Sequence, residues 1–263
     1  MSRIRLMRWV AGIVASVTLL LLAAFLLRPL EQGRSDARSA QCRNNLKELA
    51  VALNNYYYSY GSFPPVFVAD AEGRPIHSWR VLLLPFLQDE RMHELYERYR
   101  FDEPWDGPNN SLLHREQAAA YSCPNDPGPS ESRWTSYLAI SGPGTMWRHD
   151  QTVKLRDVTD HADETLAFVE VAKSGIHWME PRDIALSSLD EAGANWPPIG
   201  TRAQHRVEEF WGLSNPLEYA MTLDYRLFRI DSSATVKDLR PLCTIDGHEN
   251  CAPILRRHVQ RLK

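Results

Sequence analysis

An uncharged apolar stretch, Trp9 to Leu27, constrains this chain more than any other feature. Its 19 residues carry no ionisable side chain. At about 1.5 Å of rise per residue they would extend about 28 Å as a helix, close to the hydrocarbon thickness of a bilayer. The stretch is longer than the apolar part of an ordinary signal peptide, and no small-x-small cleavage site follows it. We therefore predict an uncleaved transmembrane helix over residues 9–28 after a cytoplasmic segment over residues 1–8, with a signal peptide as the alternative.

The orientation of this helix follows from the cysteines rather than from charge. Arginine and lysine residues flank the stretch on both sides, so the positive-inside rule does not decide the question. The chain has four cysteines, Cys42, Cys123, Cys243 and Cys251. An even set allows three disulfide pairings and suits a non-reducing compartment, although four unlinked buried thiols are the alternative. We expect the N-terminus inside the cytoplasm and the C-terminal domain outside it.

The segment after the anchor is predicted to be an amphipathic helix that follows a short polar joint, Glu31 to Ser35, and ends near Gly61 and Pro64. Apolar residues recur along it at helical spacing: Cys42, Leu46, Leu49, Ala50, Leu53, Tyr57 and Tyr60. Such a stripe needs a partner surface, and later strand-like segments supply one. The fold class is therefore α+β, with one extracytoplasmic domain over residues 35–250 and a basic tail over residues 251–263.

The rest of the domain is predicted to contain short elements and long loops. A hairpin is expected over 66–69 and 76–77, short helices over 79–87, 90–99, 111–120 and 236–243, strands over 137–140 and 165–171, and a second hairpin over 217–222 and 226–230. The formal net charge of −3 gives no reason to expect nucleic-acid binding.

No catalytic motif is complete, so we expect no enzyme and no cofactor, with calcium as the one candidate ion. Five oxygen-bearing side chains that suit calcium cluster in one loop: Asp102, Glu103, Asp106, Asn109 and Asn110. The alternative is a rigid loop with ordinary Asx turns. The spacing of Cys243, His248, Cys251 and His258 would also allow a zinc site, but a local Cys243–Cys251 disulfide is favoured.

Aromatic and acidic residues give two weaker hypotheses. Tryptophans in loops rich in proline and glycine would form a binding surface for a sugar or a protein: Trp105, Trp147, Trp178, Trp196 and Trp211. Paired acids for glycoside hydrolysis are a distant alternative to an exposed acidic turn, with candidates Asp157, Asp160, Asp163, Glu164 and Glu170.

Taken together, these segments resemble the domain of unknown function 1559 family of pilin-like, single-span bacterial proteins. The resemblance rests on CRNNLKELAVALNNY with GSFPP, SWRVLLLPFL, YRFDEPWDGPNN, YSCPNDP, TSYLAISGPGT, DVTDHADETLAFVE, the group Trp178, Pro181, Asp183 and Ile184, and TVKDLRPLCTIDGHE. It implies a pseudopilin-like fold in which a long N-terminal helix, half in the membrane, packs on an antiparallel sheet. The family has also been labelled solute-binding, without an established ligand.

The resemblance further implies a long-range disulfide between Cys42 and Cys123, because both lie in matching segments, and leaves Cys243 and Cys251 as a local pair. Two features depart from the family. The prepilin-type leader with its intramembrane glutamate is missing, so we expect an individual anchored protein or a small complex rather than a filament. In the last hairpin Tyr225 replaces a glycine, so we expect the turn there to change type.

The function expected from these observations is a binding or scaffolding role at the bacterial inner membrane, with a single span over residues 9–28. Its partners would be the lipid bilayer and envelope proteins. The alternative is an envelope module that binds a solute, such as a saccharide, and a hydrolase is a distant third.

Overall fold

A computed structural model describes residues 3–117, 119–126, 133–149, 151–162, 164–171, 174–187, 218–230, 240–246 and 259–261. Within these residues the architecture is α+β, as predicted: one long helix, two antiparallel sheets, one parallel pair of two-residue strands and short helices.

The long helix, α1, runs without interruption over Arg3–Tyr60. The polar joint predicted at Glu31 to Ser35 is wrong, because this segment is helical; Gly33 is its only weak helix former. The helix ends where predicted. Gly61 has a φ of +72° and donates its N–H to the Tyr57 carbonyl at 2.7 Å, which is the left-handed cap that glycine favours. Within the part of the chain that the structure describes, no helix is long and apolar enough to cross a membrane.

The second half of α1 packs into the main core. Its predicted apolar stripe is confirmed, since Cys42, Leu46, Leu49 and Leu53 are all buried. The helix contacts the antiparallel sheet through its strands Glu218–Thr222 and Leu227–Ile230.

Nine strands form three small sheets in the described residues. They are β1 Phe67–Ala69, β2 Pro75–Ser78, β3 Tyr137–Leu138, β4 Ile140–Ser141, β5 Leu166–Glu170, β6 Ile184–Ala185, β7 Glu218–Thr222, β8 Leu227–Ile230 and β9 Val259–Arg261. The largest sheet has the order β3-β5-β7-β8-β9 and is antiparallel throughout. Both predicted hairpins, β1–β2 and β7–β8, are present.

Strand β9 lies inside the segment that was predicted to be a basic tail. It pairs with β8, with Phe228 opposite Arg261 and Ile230 opposite Val259. The end of the chain therefore covers an edge of the sheet, which would otherwise present unpaired backbone groups.

Three of the predicted short helices are shorter than expected. The first is α2, Trp79–Leu82, followed by a 3₁₀ turn at Leu84–Phe86, because Pro85 has no N–H with which to continue the α-helix. Helix α3, in contrast, spans Glu90–Arg98, close to the predicted range of 90–99. In place of the helix over 111–120 there are 3₁₀ turns at Asn110–Leu113 and Ala119–Tyr121. Of the helix over 236–243 only a 3₁₀ turn at Arg240–Leu242 is described, and residues 236–239 lie outside the described residues.

The β7–β8 turn keeps a positive φ at the position where Tyr225 replaces a glycine, and the expected change of turn type stays a prediction. Tyr225 has a φ of +67°. Asp224 stabilises the turn, since it accepts a hydrogen bond from the Thr222 hydroxyl and forms an ion pair with Arg226. These contacts offset the cost of a non-glycine residue in this conformation.

Candidate functional site

A polar cleft opens between α1 and the chain that follows residue 116. Its volume is about 340 Å³, within the range of small-ligand sites. It is lined by Gln41 and Asn45 of α1 and, on the other side, by Gln117, Ala119, Ser122, Pro124 and Arg133. Arg133 is the only charged residue among these described lining residues.

A disulfide joins the two walls of this cleft. Cys42 follows Gln41 on α1, and Cys123 lies between Ser122 and Pro124 on the opposite wall. The two cysteines are bonded, with Cα atoms 4.9 Å apart and 81 residues between them in sequence. The pairing that the family resemblance implies is therefore present, and it fixes the width of the cleft.

Amide side chains on the α1 wall are held in fixed orientations. Asn45, which is 1% exposed, donates through Nδ2 to the carbonyls of Ala119 at 3.1 Å and Ser122 at 2.8 Å. Its Oδ1 accepts from Gln41 Nε2 at 2.8 Å. Across the cleft, Gln117 Nε2 donates to the Trp134 carbonyl at 3.0 Å. The amide nitrogens of Gln41 and Gln117 are thus engaged with the protein, which orients both side chains.

Arg133 has an unusual backbone conformation. Its φ is +54°, in the left-handed region that few residues other than glycine occupy. The neighbouring backbone imposes this conformation, because the Arg133 carbonyl accepts from the Trp178 N–H at 3.0 Å and Trp134 forms a β-bridge with His177. Strained residues of this kind cluster at functional sites.

Three aromatic rings stack close to this site. The ring centroids of Trp105 and His114 are 5.1 Å apart, those of Trp105 and His177 are 5.4 Å apart, and those of the two histidines are 4.5 Å apart. His177 Nδ1 accepts from the Met179 N–H at 3.2 Å, so its proton lies on Nε2, which faces the His114 carbonyl at 3.3 Å. Burial, assisted by the nearby charge of His114, lowers the pKa of His177 to about 4.

A buried ion pair joins α2 to the segment directly before β6. Arg80 and Asp183 are 2.6 Å apart, with side chains 0% and 1% exposed. Asp183 also accepts from Trp79 Nε1 at 3.1 Å and from the Ala139 N–H at 2.8 Å. Burial raises the pKa of the Asp183 carboxyl, although Arg80 and these donors oppose that shift. Both partners lie in segments that carry the family resemblance, but the sequence does not predict that they pair.

The predicted tryptophan surface is wrong for two of its members. Trp147 and Trp178 are fully buried: Trp147 donates to the Ala167 carbonyl at 2.7 Å, and Trp178 stacks on Tyr121 with an interplanar angle of 13°. They are core residues, because proline- and glycine-rich loops here fold onto the sheet rather than into solvent. Trp105 is half-buried in the stack described above, and Trp196 and Trp211 lie outside the described residues.

The predicted calcium loop is stabilised by its own hydrogen bonds. The Glu103 carboxylate accepts from the backbone N–H of Asn109 at 2.8 Å, from that of Asn110 at 2.6 Å and from the Asn109 amide at 2.9 Å. Asn110 is buried and bonds to backbone groups, including the carbonyls of Arg100 and Pro104. Asp102 and Asp106 are exposed. This geometry matches the alternative of a rigid loop, and calcium binding stays a prediction.

The remaining candidate sites fall partly outside the described residues. Cys243 is buried, whereas Cys251, His248 and His258 are not described, so the local disulfide and the zinc site both stay predictions. Among the described residues, the only group of three with metal-ligating atoms in reach of one another is Cys42, Cys123 and Glu170, and its two sulfurs are already bonded to each other.

The predicted acidic residues do not form a common site. Asp157 accepts from the Lys154 N–H at 2.8 Å and caps a short 3₁₀ turn, whereas Glu170 is fully buried in β5. Asp160 and Glu164 are half-buried, and Asp163 is not described. The hypothesis of two paired acids for hydrolysis therefore has no support from their placement.

Comparison with known proteins gives one match. A family model described as a protein of unknown function (DUF1559) matches residues 31–195. No curated protein and no solved structure matches the chain. The matched range includes the disulfide, the buried ion pair and the whole lining of the polar cleft.

Proposed function

The chain belongs to the DUF1559 family, whose function is unknown, and we propose that it is a membrane-anchored binding or scaffolding protein of the bacterial cell envelope. In this proposal residues 9–28 lie in the inner membrane, residues 1–8 are cytoplasmic, and the domain is outside the cytoplasm. The fold would be pseudopilin-like, with one long helix that spans the bilayer and then packs on the sheet of the domain.

The observation that carries this proposal is the difference between the two halves of α1. The described large apolar side chains of its first half are 48–71% exposed: Met7, Trp9, Ile13, Val14, Val17, Leu19, Leu20, Leu21 and Leu22. The apolar stripe of its second half is buried in the domain. An exposed apolar surface of this extent is unfavourable in water, at about 25 cal/mol per Å². A lipid bilayer would cover it.

The compartment is supported by the Cys42–Cys123 disulfide, because such bonds persist outside the reducing cytoplasm. We further propose that the protein has no catalytic activity and no cofactor, since its sequence contains no complete catalytic motif. An individual anchored protein or a small complex is proposed in place of a filament, because the apolar stretch Trp9 to Leu27 contains no glutamate.

A second candidate function is solute binding. The polar cleft favours it, since its volume and its oriented amide groups are those of a small-molecule site. The two functions are compatible, because an anchored protein can present a solute site at the membrane surface.

Carbonate extraction of membranes tests the anchor. We expect the full-length chain to stay in the membrane pellet, and a variant with Ile13→Lys and Leu20→Lys to be released, because each buried lysine is costly at the centre of a bilayer. The matched control is Leu112→Lys, at a leucine of the domain that is 75% exposed. Release of the unaltered chain in a shortened, soluble form would show that the segment is a cleaved signal peptide.

Topology and partners need separate measurements. Protease added to spheroplasts should degrade the domain while the cytoplasm stays protected. A pull-down of the detergent-solubilised protein after mild crosslinking then separates a scaffold, which retains envelope proteins, from a solitary binder, which retains none.

A further inference from the structure

We propose that the polar cleft binds a small polar solute through a single carboxylate, which pairs with the Arg133 guanidinium. This inference rests on the solute-binding role proposed above and names the class of its ligand. It does not depend on the membrane anchor.

The first reason is that Arg133 has no ion-pair partner among the residues that the structure describes. Other arginines of the same region are paired: Arg80 with Asp183, Arg98 with Glu116 at 2.7 Å, and Arg182 with Glu180 at 2.5 Å. Among the residues that the structure describes, no carboxylate lies within ion-pair distance of Arg133. A half-buried cation in a cleft whose described lining includes no acidic residue attracts an anion.

The second reason is the number of charges. One guanidinium neutralises one negative charge, and its planar fork of N–H donors matches the two oxygens of a carboxylate. A phosphate dianion would need a second cation, and the described lining contains none. The cleft therefore suits a monocarboxylate better than a phosphate ester.

The third reason is the set of hydrogen-bond acceptors that line the cleft together with Arg133. The fixed nitrogens of Gln41 and Gln117 leave the amide oxygens of both side chains as acceptors, and Ser122 adds a hydroxyl. These groups suit the hydroxyls of a polyol. Two ligand sources share this chemistry: an acidic monosaccharide, such as a uronate, and a free hydroxy acid.

The test is calorimetric titration of the full-length protein in detergent. The probes are D-glucuronate, D-glucose, lactate and inorganic phosphate. We expect glucuronate or lactate to bind at least ten times more tightly than glucose and phosphate, and the affinity to fall between 0.15 M and 1 M salt because the ion pair is screened. Tighter binding of glucuronate than of lactate identifies the acidic monosaccharide as the ligand class, and tighter binding of lactate identifies the free hydroxy acid.

Two substitutions at Arg133 separate charge from folding. Arg133→Asn removes the charge but keeps a residue that tolerates positive φ, so the domain should fold and carboxylate binding should weaken at least tenfold. Arg133→Lys keeps the charge without the fork and should retain part of the affinity. Arg156→Gln, at an exposed arginine that does not line the cleft, is the matched control and should bind as the unaltered protein does.

Three outcomes would overturn the inference. One is equal binding of glucose and glucuronate with no effect of Arg133→Asn, which would leave a neutral solute site. Another is preference for phosphate. The third is no binding of any probe at millimolar concentration, which would leave the anchored scaffold role intact. Conversely, carboxylate binding by a chain that carbonate extraction releases would refute the anchor and leave this inference standing.

Discussion

The guanidinium groups of Arg80 and Arg133 lie in two opposite environments. The Arg80 guanidinium is fully buried and bonded to Asp183, Ser78 and the Tyr137 carbonyl. Arg133 lines an open cleft, and its backbone has a strained conformation. A buried, fully surrounded charge cannot exchange its partner for a ligand, whereas a charge at a cleft that has no ion-pair partner among the described residues can bind one. The difference indicates that Arg80 serves the fold and Arg133 serves binding.

Breaking the buried pair should have the largest effect on stability. Arg80→Ala or Asp183→Ala leaves one buried charge without a partner, and we expect a loss of about 3–5 kcal/mol in the free energy of unfolding. Urea denaturation measures it. Replacing both residues, Arg80→Met with Asp183→Leu, should cost much less because no charge is then left buried.

The control for this pair is Arg91→Ala, which removes an ion pair to Asp89 from a side chain that is 76% exposed. Its stability should match that of the unaltered protein. If the single Arg80 and Asp183 variants behave like this control, the division between a structural and a binding arginine fails.

Removing the disulfide should have the next largest effect. The Cys42–Cys123 bond closes a long loop, with a sequence separation of 81 residues, so the double variant to alanine should lose about 2–4 kcal/mol. The same variant should weaken solute binding, because the two walls of the cleft are then no longer clamped. Denaturation and titration of one preparation report both effects. Unchanged affinity would show that the cleft keeps its width without the bond.

Lowering the pH should reduce the free energy of unfolding through the protonation of His177. Its pKa in the folded protein is about 4, below the usual value near 6.5 in the unfolded chain. Above pH 6.5 His177 is neutral in both states and costs no stability. As the pH falls from 6.5 toward 4 the unfolded chain binds the proton first, so the free energy of unfolding decreases. Protonation also breaks the bond from the Met179 N–H to Nδ1.

Melting temperatures between pH 7 and 4 measure this effect. The difference between the unaltered protein and His177→Gln should change across that window, since glutamine does not titrate. His161→Gln, at an exposed histidine, serves as the control. Parallel curves for the unaltered protein and His177→Gln would mean that His177 titrates alike in both states.

The sequence predicts much of the scaffold and little of the cleft. The helical spacing of Leu46, Leu49 and Leu53 identifies the buried face of α1, because periodicity reports burial directly. The burial of Trp147 and Trp178 is not predictable in this way, because a tryptophan in an irregular segment belongs to no periodic pattern. Strand β9 has only three residues, and its pairing with β8 decides its structure.

The cleft escaped prediction for a different reason. Its walls come from segments about 80 residues apart, and glutamine and asparagine side chains form no recognisable motif. The Arg80–Asp183 pair is likewise long-range, at 103 residues. The site also has a local feature, the positive φ of Arg133. The sequence does not reveal it, because arginine has no particular preference for that conformation.

That positive φ provides the smallest predicted effect and a direct test of why residue 133 is an arginine. Glycine adopts a φ of +54° without strain, so Arg133→Gly should be more stable than Arg133→Ala by about 1 kcal/mol. For a chain of this size that corresponds to a melting temperature about 2–4 °C higher. Both variants lose the guanidinium, so their difference isolates the backbone. If arginine is kept for its charge, Arg133→Gly should combine higher stability with lost carboxylate binding, as expected where function opposes stability. Equal melting temperatures for the glycine and alanine variants would show that residue 133 is not strained, and the contrast with Arg80 would then rest on charge pairing alone.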